Sequence, residues 1–478
     1  MSTPLPDITK QFAEWYQEVL VKAGFVDASP TRGSFVIRPY GYALWENIQK
    51  HVDAKIKKLG VENAYFPLLI PQSFLSKEAK HIEGFSPELA VVTHGGGKLL
   101  EEPLVVRPTS ETMIYHMFAR WITSHRDLPL KINQWANVVR WEMRTRPFIR
   151  SLEFLWQEGH TAHKSHEEAD QMALAALELY RSVYEDFLAI PVVTGQKSES
   201  ERFAGADKTY TVEGLMQDGK GLQMCTSHLL AHSFPASFDV SYQAADGSMQ
   251  VPYCTSWGFT TRSVGAVAMV HGDQNGLIMP PLAAPIQAIF IPIYKTDEER
   301  SAVTTRIKQL HAMLVEQGVR AQIDEREGMT PGAKYFDWEM KGVPVRIELG
   351  PKDLANNTVV LVNRAEQDKA KKKSFVSADN LSPALQELLQ TIQVMLYERA
   401  KTRMQQQWHQ VEKIKAFGPK MDAEHGWYQA GWCGSKECEA QIKEYKGTLR
   451  CLLDEKKHNA CFGCDAASTV DVLIAKAY

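Results

Sequence analysis

Several things are missing from this chain. No uninterrupted apolar run approaches the roughly 18 residues of a membrane span, and the start, MSTPLPDITKQ, lacks the apolar core of a signal peptide. A cytoplasmic protein without membrane segments is expected. Charge of one sign is also missing: 54 Lys and Arg against 57 Asp and Glu leave −3. The molecule as a whole is therefore no electrostatic sponge for nucleic acid, and any such contact needs a local basic surface. Cysteine is scarce over most of the length, with Cys225 and Cys254 alone in the middle. The odd total of seven in 478 residues excludes a small, evenly paired disulfide scaffold. There is no internal repeat and no extended low-complexity tract.

What is present reads as about three domains. Asp7 is a possible N-cap for a helix over residues 7 to 23, and a second helix spans 42 to 59, with Ile48, Val52 and Ile56 on one face and Gly60 at its end. AYFPLLIP (64 to 71) reads as a buried strand near an edge, because prolines interrupt it. The spacing predicts a helix over 109 to 124 with Met113, Met117 and Trp121 inward. Strands are expected at 132 to 142 and 151 to 160, then at 208 to 213 and 221 to 226. Ser165 and Glu168 form a capping box for a helix reaching Phe187. Pro280, Pro281 and Pro285 mark a boundary. Beyond it, alternating strands and helices imply a small α/β domain with a mixed sheet. KAKKK (369 to 373) reads as a solvated turn. A long helix over about 382 to 407 leads to a cysteine-rich end. The expected division is 1–282, 283–380 and 381–478.

The chemistry concentrates in RPTSETM (107 to 113), RWEMRTRPFIRSLEFLWQEGHTAH (140 to 163) and TSWGFTTRSVG (255 to 265). Arg140 closes the apolar run WANVVR, so a strand would hold its guanidinium. Glu142, two residues on, would share its face and could accept from an exocyclic adenine amine. Phe154 on the opposing strand offers a flat apolar face for a purine. Arg262 follows Gly258, where backbone can approach a ligand closely. Fixed guanidinium forks suit the charge that develops when a nucleotide is attacked at its α-phosphorus. Taken singly, each arginine could be a structural ion pair; the set with its aromatic partners favours a site. HGGGK (94 to 98) lacks the Walker spacing and reads as a substrate-covering loop. His160, His163 and His166 straddle a strand end and a helix start, so they are not expected to bind metal. Cys225 reads as a small core or pocket-lining residue. C-x4-C (Cys433, Cys438) and C-x2-C (Cys461, Cys464) suit tetrahedral Zn²⁺ in a closed site, with Cys451 left over as a core residue.

AYFPLLIP, RWE…EF and GFTTR, in that order, resemble the three motifs of a class II aminoacyl-tRNA synthetase. RPTSET, FLWQEGH, LQMCTSH and TSWGFTTRSVG are similar to prolyl-tRNA synthetases of the archaeal and eukaryotic-like form, as is PGAKYFDWEMKGVPVRIELGPKD (331 to 353). The resemblance spans essentially the whole chain. It implies an α+β catalytic domain on an antiparallel sheet, an α/β anticodon-binding domain and a small α/β zinc-binding C-terminal domain. It also implies ligation of L-proline to tRNA(Pro) with ATP and Mg²⁺, by a homodimer joined through the first motif.

By the same resemblance Arg140 meets the α-phosphate and the substrate carboxylate, and Arg262 the γ-phosphate. Arg150 is a further phosphate contact, Glu142 meets the adenine amine and Phe154 the ring, with Gln223 and Thr226 also at the nucleotide. Proline, a secondary ammonium with a short apolar ring, would be held by Thr109 and Glu111. Trp156, Glu158, His160, His228, Ser256, Trp257 and Gly258 would complete its pocket. The bland alternative for Thr109 and Glu111 is a helix cap and a dipole partner. Phe336, Glu339, Lys341, Arg346, Lys352 and Asp353 fall on the anticodon-domain motif. Zinc would be structural, and the carboxylate of Tyr478 would approach the active site. WQEGH and TSWG disfavour a threonine- or histidine-specific relative. The presence of both Arg140 and Arg262 disfavours a catalytically dead paralogue that only binds RNA. About a hundred residues separate the second and third motifs, too few for a large hydrolytic insertion.

Overall fold

A computed structural model describes residues 4–76 and 89–478. Helix α1 (Phe12–Lys22) buries Phe12, Trp15, Tyr16, Val19 and Leu20. It starts later than expected, because Asp7 closes a separate turn in which its Oδ1 accepts from the Thr9 N–H at 2.9 Å. In α2 (Pro39–Lys58) Ile48, Val52 and Ile56 are buried as their spacing predicts, and Gly60 follows in the left-handed region. The AYFPLLIP segment is not a buried strand. Strand β1 (Glu62–Asn63) precedes it, β2 (Leu69–Pro71) ends it, and Tyr65 stands exposed. Pro67 has no N–H for a ladder. The segment is instead hooked to its neighbours by side chains: Gln134 accepts from the Phe66 N–H, and Arg107 donates to the Phe66 carbonyl at 2.6 Å. The edge position is right, since β2 flanks β4 (Lys98–Val106), which pairs on its other side with β3 (Ala90–Gly95). HGGGK is the tight turn of that β3–β4 hairpin, with Gly96 and Gly97 at φ of 57° and 78°.

Helix α3 (Glu111–Trp121) turns a different face inward from the one expected. Ile114, Tyr115 and Phe118 are buried, whereas Trp121 is 43 % exposed. Apolar residues cover most of this helix, so periodicity alone does not choose its rotation. The buried Glu111 shares a face with Tyr115 and Phe118 and sets it.

Strands β5 (Leu130–Val139) and β6 (Glu153–His163) follow as an antiparallel pair. Ser165 caps α4 (His166–Ser182) by accepting from the Glu168 N–H at 3.2 Å. The Glu168 carboxylate reaches the Lys164 N–H instead of the cap's own, so half of the expected box forms. The helix continues to Phe187 as a π-helical stretch. Strands β7 (Val192–Gln196), β8 (Lys208–Leu215), β9 (Gly221–Ala231) and β10 (Tyr253–Thr260) complete the antiparallel sheet, and α5 (Arg262–His271) leaves it. Along β7-β8-β9-β10-β6-β5 every neighbouring pair is antiparallel.

The next layer is a sheet of order β12-β11-β13-β14-β15, built from β11 (Ala288–Pro292), β12 (Ala321–Ile323), β13 (Val345–Leu349), β14 (Thr358–Asn363) and β15 (Lys373–Ser377). Its first three strands are parallel and the rest antiparallel, the mixed sheet expected. Helices α6 (Asp297–Glu316) and α7 (Pro331–Lys341) lie between its strands in sequence. KAKKK is not simply a solvated turn: Lys373 opens β15 and pairs with Glu348, and Lys372 pairs with Glu339. Helix α8 (Leu381–Gln406) sends Leu381, Leu385, Leu389, Ile392 and Leu396 into this domain's core.

The C-terminal residues form β16 (Trp408–Gln410), β17 (Trp427–Trp432), α9 (Lys436–Glu444), β18 (Thr448–Leu453) and β19 (Val470–Ala475). Their sheet joins the antiparallel one, giving a continuous order β16-β17-β19-β18-β7-β8-β9-β10-β6-β5-β1. At the seam Leu452 pairs with Gln196. No helix among the described residues is long and apolar enough to cross a membrane.

Candidate active site

One face of the antiparallel sheet carries a cavity of about 300 Å³. Phe154, Trp156, Glu158 and His160 alternate along β6 and all point into it, as the two-residue period of a strand requires. Strand β9 adds Gln223, Thr226 and His228, and β10 adds Ser256, Trp257 and Gly258. Loops and helix starts bring Thr109, Glu111, Arg140, Glu142, Arg150 and Arg262 to the same walls. Every residue expected from the sequence to meet nucleotide or amino acid therefore lines one cavity.

The acidic end is heavily bonded. Thr109 donates to Glu111, and Ser110 donates to Glu158. Gln134 donates to Glu158 Oε1 at 2.8 Å, and His160 Nε2 lies 3.3 Å from Glu158 Oε2. Thr109 is not the helix cap: Ser110 holds that position, makes no capping bond, and spends its hydroxyl on Glu158. The Trp257 indole, expected at the pocket, packs instead on the sheet's other face against Tyr180, whereas His160 Nδ1, Ser256 Oγ and Trp156 Nε1 are buried with no hydrogen-bond partner. Buried polar atoms are rarely left so, and here they line a space of ligand size.

The basic end gathers three arginines. Arg140 and Glu142 lie just past the end of β5, so a turn, not strand alternation, brings them together. The Arg140 guanidinium sits over the Phe154 and Trp156 rings at 5.4 and 5.9 Å, and its Nε donates to the Pro108 carbonyl at 3.1 Å. Arg150 pairs with Glu142 at 3.7 Å. Arg262, the first residue of α5, donates to the Gln223 carbonyl at 2.8 Å and to the Ile149 carbonyl at 3.2 and 3.3 Å. Burial lowers its pKa, and the charges of Arg140 and Arg150 lower it further. It remains a cation at neutral pH, in a setting that favours a polyanion. Arg107, which opens RPTSETM, is structural: it donates to the Phe66 and Asn137 carbonyls and to the Asn137 side chain.

Sequence reasoning missed Glu201, Phe203 and Thr209 on the cavity wall. It also missed Ser110 and Gln134 behind Glu158. Apart from Ser110, which stands between two predicted site residues in RPTSETM, none belongs to a segment whose spacing signals chemistry. Cys225 lines the cavity, and burial pushes its thiol well above the usual range, so it is no nucleophile. HGGGK contributes nothing to the lining.

The anticodon-motif residues divide. Phe336 and Lys352 are exposed. Lys341 lies over the Trp338 ring at 4.4 Å. Arg346 is buried against Glu348 at 2.9 Å and stacks on Tyr335 at 3.9 Å. Glu339 pairs with Lys372, and Asp353 accepts from the Gly350 N–H at 2.9 Å. Arg346 and Asp353 thus have structural work in the domain itself.

Among the described residues, Cys433, Cys438, Cys461 and Cys464 bring ligand atoms close enough for a metal ion, with all four Sγ atoms within 4.8 Å of one another. Cys433 lies 3.7 Å from Cys438 and 3.8 Å from Cys464, close to the ~3.8 Å edge of a tetrahedron with Zn–S of about 2.3 Å. Burial opposes ionisation of Cys461, but the Gly463 N–H and the neighbouring cysteines hold its thiol down to about 7. Cys451 is fully buried in a separate cluster. His160, His163 and His166 form no such group. The final residue, Tyr478, is anchored: its N–H donates to Gly221, its hydroxyl to Asp218 at 2.7 Å, and the Arg146 guanidinium covers its ring at 5.7 Å.

A cavity on an antiparallel sheet, walled by arginines from a strand end and from the start of the following helix, defines a class II aminoacyl-tRNA synthetase. Residues 98–271 match the class II core domain model of the G, H, P, S and T synthetases. Residues 287–388 match an anticodon-binding domain, and residues 414–478 a prolyl-tRNA synthetase C-terminal domain. A proline–tRNA ligase from Rhodococcus jostii is 49 % identical over 98 % of both chains. One from Clostridioides difficile is 46 % identical over 99 % of this chain and 98 % of its own. The solved prolyl-tRNA synthetase of Cryptosporidium parvum, complexed with halofuginone and AMPPNP, superposes with a TM-score of 0.93 at 40 % identity over 99 % of both chains. The chain belongs to the prolyl-tRNA synthetase family, the ATP-dependent ligases that join proline to tRNA. Residues 164–252 are taken up by α4, β7, β8, β9 and short connecting elements, with no inserted domain.

Proposed function

We propose that the cavity holds L-proline at its acidic end and ATP at its basic end, so that the proline carboxylate attacks the α-phosphorus in line. Glu111, with Thr109, receives the secondary ammonium. Trp156, Glu158, His160, His228, Ser256 and Gly258 enclose the ring and fix its orientation, with Trp257 backing that wall from the sheet's other face. Arg140 bridges the substrate carboxylate and the α-phosphate. Arg262 and Arg150 take the departing pyrophosphate charge, Glu142 and Phe154 the adenine, and Gln223 and Thr226 the rest of the nucleoside. The tRNA 3′-hydroxyl then attacks the acyl carbonyl and AMP leaves. Positioning and fixed charge do the work, and no covalent enzyme intermediate forms. Mg²⁺ carried by ATP lowers the charge on the phosphate oxygens. The observation that carries this reading is the convergence of Arg140, Arg262 and Glu111 on one cavity. Pyrophosphate–ATP exchange tests it: proline should drive exchange, and exchange driven by threonine or histidine instead would overturn it.

The four cysteines hold a structural Zn²⁺, which their spacing and chemistry fit. Their unpaired state suits the reducing cytoplasm. Exposed Tyr65, Leu69 and Trp121 around the first motif supply apolar surface for a homodimer. Phe336, Glu339, Lys341 and Lys352 read the anticodon of tRNA(Pro) in this proposal, with Arg346 and Asp353 bracing that surface. The ordered Tyr478 brings the terminal carboxylate towards the loop that carries Arg146 and Arg150. The catalytic and anticodon-binding units correspond to 1–282 and 283–380, and 381–478 comprises the linker helix and the zinc-binding unit.

A further inference from the structure

The segment joining β7 to β8 ties the C-terminal domain to the cavity wall. Three consecutive residues in it reach across. Lys197 Nζ donates to the Arg450 carbonyl at 2.7 Å and pairs with Glu213 at 2.8 Å. Glu213 in turn accepts from Arg450 Nε and Nη2 at 3.0 and 2.8 Å. Ser198 Oγ donates to Glu439 Oε1 at 2.7 Å. Glu199 pairs with Lys436 at 3.2 Å. The same segment then delivers Glu201 and Phe203 to the cavity. The Phe203 ring lies 4.5 Å from that of His228. Its N–H donates to Thr209 Oγ1 at 3.0 Å, and that hydroxyl lies 2.9 Å from His228 Nδ1.

Glu439 is buried on α9 beside Cys438, and its Oε2 has no hydrogen-bond partner. A half-satisfied buried carboxylate costs stability. What it supplies in return is a fixed acceptor for Ser198. Gly195 keeps the seam close: a Cβ there would fall 2.3 Å from the Leu452 carbonyl oxygen.

We propose that Ser198 and Glu439 are positioning residues for the amino-acid side of the cavity. Through them the helix that carries Cys438 sets where Phe203 stands against His228. This rests on the reading of that end of the cavity as the proline pocket, and the test separates the two ideas. Pyrophosphate exchange is measured for Ser198→Ala, Glu439→Ala and Glu439→Gln, with Glu111→Gln run in parallel and bound metal quantified for each. Losing one hydrogen bond from the wall raises the proline KM about 2- to 10-fold in Ser198→Ala and Glu439→Ala. The ATP KM and metal content stay unchanged, and Glu439→Gln, which keeps an acceptor oxygen, restores the proline KM. A normal proline KM in Ser198→Ala overturns the proposal. So does an equal rise in both KM values with loss of metal in Glu439→Ala, since that marks a mere prop. If Glu439→Ala fails to fold, Ser198→Ala, which removes one hydroxyl, decides. An unchanged proline KM in Glu111→Gln would fault the pocket reading itself; a raised one beside a silent Ser198→Ala would sink the positioning role alone.

Discussion

Gly159 and Trp257 are register partners on β6 and β10, and the indole fills the space a side chain on Gly159 would need. A Cβ at residue 159 would fall 2.2 Å from Trp257 Cζ2. The ring cannot move freely, because it is buried in the core against Tyr180. Gly159→Ala must therefore displace the indole, at about 1–3 kcal/mol for an overpacked core. The unfolding midpoint in urea should drop, and proline-dependent exchange should fall with it. A variant that unfolds and exchanges like the parent would show that the indole has room to swing.

Arg262 is held by two carbonyls that leave its charge directed at the cavity. A lysine reproduces the charge but not the planar fork. Arg262→Ala should lower kcat/KM for exchange by about 10²-fold or more, the usual effect of losing a fixed transition-state donor. Arg262→Lys should recover little of it, and Arg140→Ala should abolish adenylate formation. Recovery to within tenfold by lysine would mean that only bulk positive charge matters there.

Gln134 bonds in two directions, accepting from the Phe66 N–H and donating to Glu158. Gln134→Ala leaves both partners buried and short of a bond, which costs about 1–3 kcal/mol. Lower thermal stability and a raised proline KM should appear together. A stability loss with an unchanged proline KM would confine Gln134 to the fold.

The legible parts of this molecule are those whose chemistry shows in residue type and period. Phe154, Trp156, Glu158 and His160 occupy alternate positions, so a strand reading puts them on one face at once. Arg140 and Arg262 stand out because each is a charge set against an apolar run and accompanied by aromatic partners. Ser110 and Gln134 were illegible because their value lies in Glu158, a partner distant in sequence and known from the fold alone. Phe203 was hidden for the same reason, since its ring acquires meaning through His228. Arg107 shows the converse: it sits in a signature motif yet serves backbone carbonyls. The rotation of α3 could not be read because two apolar stripes compete on it. Nor could the seam between β18 and β7, which rests on backbone pairing and the small size of Gly195.

Two buried histidines predict an acid sensitivity. Burial lowers His271 to about 3 and His163 to about 4. The unfolded chain takes up protons near the ordinary histidine pKa of about 6.5, whereas the folded one does not. Stability is therefore full above that pH and declines as pH falls towards the depressed folded values. Urea midpoints should drop between about pH 7 and pH 5. His271→Gln, which offers an amide N–H to the Leu188 carbonyl that His271 Nε2 now meets at 2.9 Å, should flatten that slope. An unchanged slope would place the proton uptake elsewhere.

Alanine poses a selectivity problem that this chain meets without an inserted domain between its second and third motifs. The proline pocket is walled by Trp156, Phe203 and His228, and a smaller amino acid enters such a space freely. A few missing methylenes cost the wrong substrate only a few kcal/mol, so discrimination by fit alone is limited. Clearing the error needs a second, hydrolytic site, yet residues 164–252 between the second and third motif strands form elements of the catalytic domain itself. Mischarged alanyl-tRNA(Pro) incubated with the purified enzyme should therefore decay no faster than in buffer. Alanine-driven exchange should proceed without the extra ATP consumption that editing causes. Rapid deacylation by the chain alone would require a hydrolytic centre within the synthetic cavity.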